Sequence, residues 1–189
     1  SAIGTQQDIG DNADVGNNGN NTLDERHIEF QITSKSLGKI YVGQGITGTE
    51  SSSEVDLSGT GVISLNGNQE LIGGGNTWQR NNAGAGFGTV GGVFNNMDGA
   101  GRRDRLRYDT PKFAGFQVTA SHMNADSWDV ALRYGGSFGG VKVKAAIGYL
   151  DDSTRNGVEQ LNGSASVLLP FGLSFTLGAG EQDNDRFNG

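Results

Sequence analysis

The chain contains no cysteine, no long apolar run and few hydrophobic residues, and each lack removes a class of protein. Without cysteine there is no disulfide framework, no thiolate metal site and no cysteine nucleophile. No stretch approaches the ~18 apolar residues of a membrane-crossing helix. Hydrophobic residues make up 34% of the 189, while glycine alone fills 33 positions. The usual share of about 45–50% is counted with glycine, so what is scarce here is apolar side chains. Either the chain is partly disordered, or its apolar side chains are rationed to one face of thin sheets. A basic surplus is also missing. The net charge of -7 and a pI near 4.7 argue against a nucleic-acid partner, because phosphate binding needs a net basic surface. The chain opens on Ser1 with no signal-peptide pattern, which predicts a processed or partial chain.

What is present is alternation. The opening 25 residues are polar, rich in Gly and Asn, and read as loop. From Arg26 the pattern changes: Ile28, Phe30 and Ile32 fall on one face, and His27, Glu29, Gln31 and Thr33 on the other. After a turn at Leu37-Gly38, Ile40, Val42 and Ile46 stay in phase. Residues 47–101 break the rhythm with Ser, Gly and Asn throughout, and a loop of this length predicts a functional segment. Beyond it the alternation is regular. Leu106 and Tyr108 oppose Arg103, Arg105 and Arg107; Phe116, Val118 and Ala120 oppose Gln117, Thr119 and Ser121. Trp128, Val130, Leu132 and Tyr134 oppose Asp129, Ala131 and Arg133, and an apolar row from Val141 to Tyr149 opposes Lys142 and Lys144. Two more such segments, around residues 161–169 and 173–180, complete about eight strands.

The apolar faces could pack on a second sheet or lie against lipid. Strands in a sandwich average about five or six residues, whereas these run roughly nine to eleven, enough to cross the hydrocarbon layer at a tilt. The aromatic residues Phe116, Trp128, Tyr134 and Tyr149 fall towards strand ends, where interfacial girdles belong. The opposite faces are polar or tiny and include lysines and arginines, which suits a wet lumen. Connections alternate between tight turns with a Leu-Gly or Phe-Gly element and looser Asp- and Asn-rich loops, as in a membrane meander. The fold class expected is therefore all-β, a transmembrane antiparallel up-and-down barrel that must close on itself.

One string is more specific. Arg105, Arg107, Tyr108, Asp109, Thr110, Pro111, Phe113, Gly115 and Phe116 spell R-x-R-Y-[DN]-[ST]-P-x-F-x-G-F after a long loop, and in this the chain resembles the general porins of Gram-negative outer membranes. The resemblance extends in pattern over residues 25 to about 181. It implies a barrel of about sixteen strands, of which about half is found here, so that 1–189 is a single, incomplete porin β-barrel domain with a constriction-type loop region at 47–101. It implies further a homotrimer in the bacterial outer membrane, contact with the lipid bilayer and outer-membrane lipids, and passage of small hydrophilic solutes and ions. Neither a cofactor nor a nucleic-acid partner is implied.

In that frame Arg103, Arg105, Arg107, Arg133, Lys142 and Lys144 form a basic lumen wall, although a period-two arginine run taken alone is more often a solvated sheet face. By the same resemblance Glu54 and Asp56 on the long loop face that wall, with Glu70 and Asp98 as weaker acidic candidates. Other motifs carry less. Gly86–Gly91 matches G-x-G-x-x-G, but chance supplies such a match in so glycine-rich a chain and no strand or helix is expected to frame it. GDNADVGNN has the oxygen-rich look of a calcium loop without its bidentate glutamate. His27 and His122 lack ligand spacing, and no G-x-S-x-G elbow occurs. A diffusion channel is thus the first reading and no catalytic or metal residue is expected. A secreted Gly/Asn-rich β-solenoid or adhesin is the alternative, disfavoured because the strand starts keep no fixed period. A carbohydrate-active enzyme using Glu54 and Asp56 ranks last, since two carboxylates two apart on one loop do not by themselves form an acid and nucleophile pair, which must flank a bond from opposite sides.

Overall fold

A computed structural model describes residues 2–11, 23–60, 76–79, 86–89, 96–155 and 157–184. Its strands are β1 (Ala2–Asp11), β2 (Leu23–Ser34), β3 (Gly38–Ile46), β4 (Thr77–Gln79), β5 (Gly86–Thr89), β6 (Arg102–Asp109), β7 (Phe116–Met123), β8 (Trp128–Phe138), β9 (Val141–Asp152), β10 (Val158–Leu168) and β11 (Ser174–Asn184). Nine of them form one sheet in the order β1-β2-β3-β6-β7-β8-β9-β10-β11, every pair antiparallel, with β1 and β11 at its edges. The sheet is an up-and-down meander of all-β class, and among the described residues it does not close on itself.

Eight of these strands are those the alternation predicts; β1 is an addition. The opening residues read as loop, yet Ala2–Asp11 pairs along β2 from Ala2 opposite Thr33 to Asp11 opposite Leu23. The physical reason is the ladder: β2 offers its free backbone edge, and pairing there needs no strict apolar period. A register shift between Asp8 and Ile9 further breaks the phase on which a sequence pattern depends. The long excursion 47–101 also contains structure, since β4 and β5 pair with each other. The G-x-G-x-x-G match thus begins in a strand, β5, rather than in an unframed loop.

Alternation decides the two faces. On one lie Ile28, Phe30, Ile32, Ile40, Val42, Leu106, Tyr108, Val118, Leu132, Ile147, Leu161, Phe175 and Leu177, large apolar side chains left uncovered. On the other lie Glu29, Arg105, Asp109, Thr119, Ser121, Asp129, Asn162, Ser164 and Ser166, all buried. A soluble protein inverts this arrangement, hiding its apolar atoms and wetting its charges. Rings mark both ends of the apolar face: Phe116 stacks against Tyr134 at 4.7 Å near the tight turns, and Trp128 against Tyr149 at 5.4 Å near the looser loops. The 11-residue β8, about 36 Å long at strand rise, would rise about 25 Å at a 45° tilt, the height of the apolar band in an outer-membrane barrel. At the tight end, Gly139 and Gly140 both take positive φ, 56° and 85°, which a two-residue hairpin turn demands. β8 consequently runs on to Phe138, further into GGSFGG than the glycines suggest.

Candidate functional site

The buried polar face owes its burial to the chain itself. After Ile46 the backbone turns inward and lies across β7 to β11. Gly48 and Thr49 donate their amides to the two oxygens of Asp129, at 3.1 and 2.9 Å, and the Thr49 hydroxyl adds a third bond of 2.8 Å. Thr119 Oγ1 donates to the Gly48 carbonyl at 2.7 Å, and Arg133 Nη2 to the carbonyls of Gly48 and Glu50 at 2.8 and 2.5 Å. Further along, β10 takes over. Ser52 bonds to Asn162, Ser164 donates to the Ser52 carbonyl and accepts from the Val55 amide, both at 2.8 Å, and Ser166 accepts from the Leu57 amide at 3.0 Å. Asn162, Ser164 and Ser166 stand at period two on one face, so their polar groups meet an extended segment much as a paired strand would. Close approach needs a small floor: a Cβ on Gly148 would lie 2.9 Å from Thr49 Cγ2 and 2.7 Å from Ser52 Oγ. The returning limb is tied down too, by Asn162 to the Met97 carbonyl and by the Ser51 amide to Asp98.

Beneath the root of this loop stand the three arginines, each met by a carboxylate of the sheet. Arg103 pairs with Asp152 at 3.2 Å, Arg105 with Glu29, and Arg107 with both oxygens of Asp109 at 2.7 and 3.1 Å. Strand register explains the Arg105 match, because Gly43 of β3 lies opposite Arg105 and Glu29 of β2 opposite Gly43, while Asp109 follows Arg107 two residues on along β6. Remaining N–H groups hold the chain where it leaves β3: Arg105 donates to the carbonyls of Ile46 and Gly43, both at 2.9 Å, and Arg107 to those of Ile46 and Thr47 at 3.3 and 3.0 Å. Both guanidinium groups also sit over the Tyr41 ring, at 5.6 and 5.4 Å.

An opening of about 330 Å³ remains beside the docked loop, lined among others by Glu54, Asp56, Lys112, Gln117, Arg133 and Lys144. Glu54 accepts a bond from Asn96 at 2.6 Å; Asp56 accepts from the Ser58 amide and hydroxyl and from Thr176. The Ser58 bonds hold Asp56 below the usual carboxylate range, so it is charged at neutral pH. Burial pushes Glu50 up, and burial together with the Glu50 charge pushes Asp98 up to about 7. Among the described residues no ion pair engages Lys112, Lys142 or Lys144.

An antiparallel meander, apolar outside and polar inside, with its long loop folded onto the polar face, is the layout of a pore wall. A family model described as Gram-negative porin matches residues 5–188. This chain belongs to that family. No curated protein and no solved structure matches it. The family is one of outer-membrane channels, which fits a site built of fixed charges.

In this porin the acidic loop residues and the three arginines do not meet. Glu54 and Asp56 share the opening with Lys112, Arg133 and Lys144, while Glu29, Asp109 and Asp152 take the arginines. Lys142 is exposed two residues nearer the turn, and Glu70 lies outside the described residues, as does most of GDNADVGNN. His27 sits on the inner face with Nε2 3.1 Å from Glu29, whereas His122 is exposed on the outer face. Sequence reasoning passed over Lys112, which follows Pro111 in the motif's turn, and Asp129. Both carried a signal: Lys112 lies inside the quoted string, and Asp129 falls in the inward phase of β8.

Proposed function

We propose that the chain forms the wall and the constriction of a water-filled outer-membrane channel through which small hydrophilic solutes and ions diffuse passively, with no cofactor. The observation that carries this is the loop of residues 47–58, docked by its backbone on the polar face of a sheet whose other face is apolar. A loop so placed narrows a conduit without blocking the lipid face, and fixed charges around the gap sort solutes by sign. On this reading Arg133, Lys142 and Lys144, joined by Lys112, form the open basic side and Glu54 and Asp56 the acidic side. Arg103, Arg105 and Arg107 line the wall as pairs. The outer face meets the bilayer and outer-membrane lipids. Among the described residues both edge strands lack a second neighbour, and hydrocarbon does not tolerate unpaired backbone groups, so closure by further strands, to about sixteen, belongs to the proposal, as does a homotrimer. Residues 1–189 are then part of one barrel domain with 47–101 as its constriction region.

Planar-bilayer recording of the full-length protein tests this. Stepwise, long-lived conductance supports the channel; silence from a correctly inserted barrel overturns it.

A further inference from the structure

Arginines hold the loop by its carbonyls, Arg133 at Gly48 and Glu50 among them, whereas Asp129 holds it by successive amides. Its carboxylate is 1% exposed, and none of the ion pairs among the described residues includes it. Both oxygens are spent on the loop: Oδ1 accepts the Gly48 amide, and Oδ2 accepts the Thr49 amide and hydroxyl. Two successive backbone N–H groups converging on one anion form a nest, and bonds to a charged acceptor are about twice as strong as neutral ones. The serine and asparagine contacts on β10 are neutral, and water can replace them at little loss. A buried carboxylate is not so easily released, because lifting residues 48 and 49 would strip it of these donors. The floor beside it is shaped to match, with Ala131 buried in register with Gly148 and both small enough for Thr49 to reach the sheet.

We propose that Asp129 is the positioning residue of the constriction loop: by gripping the first two amides of the docked turn it sets the distance between loop and wall, and with it the bore of the channel. The proposal rests on the channel reading above for its consequence, but its structural half can be tested without conductance. Residues 1–189 hold no cysteine, and with any thiol elsewhere in the full-length protein replaced by serine one introduced thiol reports alone. Thr47 is fully buried, and its hydroxyl has no hydrogen-bond partner among the described residues, which makes Thr47→Cys a quiet reporter. In the full-length porin carrying it, Asp129→Ala should raise the rate of labelling by a water-soluble maleimide about tenfold, the loss of a charge-assisted anchorage. Single-channel conductance should rise about twofold as the constriction widens.

A tether separates loop displacement from general damage. A Cβ on Gly148 would lie 3.2 Å from that of Thr49, a few tenths of an ångström inside the span of a disulfide. In the Asp129→Ala background, Thr49→Cys with Gly148→Cys should return conductance to the wild-type level on oxidation and release it again on reduction. If the wild type conducts and Asp129→Ala leaves both labelling and conductance unchanged, the proposal is overturned. If the wild type is silent, the channel reading falls, and labelling alone decides the role of Asp129. Should Asp129→Ala fail to assemble, the isosteric Asp129→Asn takes its place with the same readouts.

Discussion

Two parts of the inner face carry positive charge, and they differ in what surrounds it. Under the loop root, Arg103, Arg105 and Arg107 are each within bonding distance of a carboxylate from the sheet. Beside the docked loop, Lys112 and Lys144 border an opening of about 330 Å³ with Arg133, Glu54 and Asp56 and have no ion-pair partner among the described residues. A close pair cancels beyond a few ångströms, whereas a lone ammonium projects its field across the gap. The arginine-rich strand is conspicuous in sequence, yet its charges serve to fasten the chain at Ile46 and Thr47. The lysines are inconspicuous, and on the proposed channel reading they set the field.

The largest expected effect comes from breaking the compensated part. Glu29→Ala leaves Arg105 buried with its charge unmet, which costs about 3–5 kcal/mol; denaturant unfolding of the vesicle-inserted protein measures it. Replacing both partners by apolar residues of similar size, Arg105→Met with Glu29→Leu, should recover most of that loss. A test of the open part comes next. One unit charge about 5 Å from the solute path is worth about 0.8 kcal/mol in water before screening, so Lys112→Ala or Lys144→Ala should shift the anion-to-cation permeability ratio several-fold towards cations. The control is the matched pair. Arg103→Gln with Asp152→Asn removes two charges that cancel, and an altered reversal potential there would erase the distinction between the two regions.

The smallest effect concerns acidity. Asp98 bonds the Ser51 amide and faces Glu50, Glu54 and Arg133, and its pKa is pushed up to about 7. An acid raised in the docked loop holds a proton there that it loses when undocked, so docking strengthens as pH falls through 7 and weakens as pH rises above it. Maleimide labelling of Thr47→Cys, taken relative to a fully exposed thiol at the same pH to remove the thiolate dependence, should therefore quicken between pH 6 and 8, and Asp98→Asn should flatten this ratio.

Much of this could be read from residue order. Period-two alternation located eight strands and assigned Leu106 and Tyr108 to one face and the arginines to the other, because only the outer face must be apolar. The strand β1 escaped notice because Thr5 and Gln7 stand opposite Phe30 and Ile28, and a bulge breaks its phase. The partners of the arginines were hidden for another reason. Glu29 meets Arg105 only through the register of β2 on β3 and of β3 on β6, and no local spacing encodes a contact across 76 positions. The docking of the loop on Asp129, Ser164 and Ser166 spans still longer separations.

The hydroxyl rungs on β10 have a consequence for how such a channel can change. They grasp Ser52, Val55 and Leu57 by main-chain groups that every amino acid shares. Glu54 and Asp56, between those anchor points, border the opening. Their side chains add the bonds of Glu54 with Asn96 and of Asp56 with Ser58 and Thr176, and the β10 rungs do not depend on them. On the proposed channel reading, substitution there retunes what passes while the frame stays shut around it, so the filter is a replaceable part in a permanent mount.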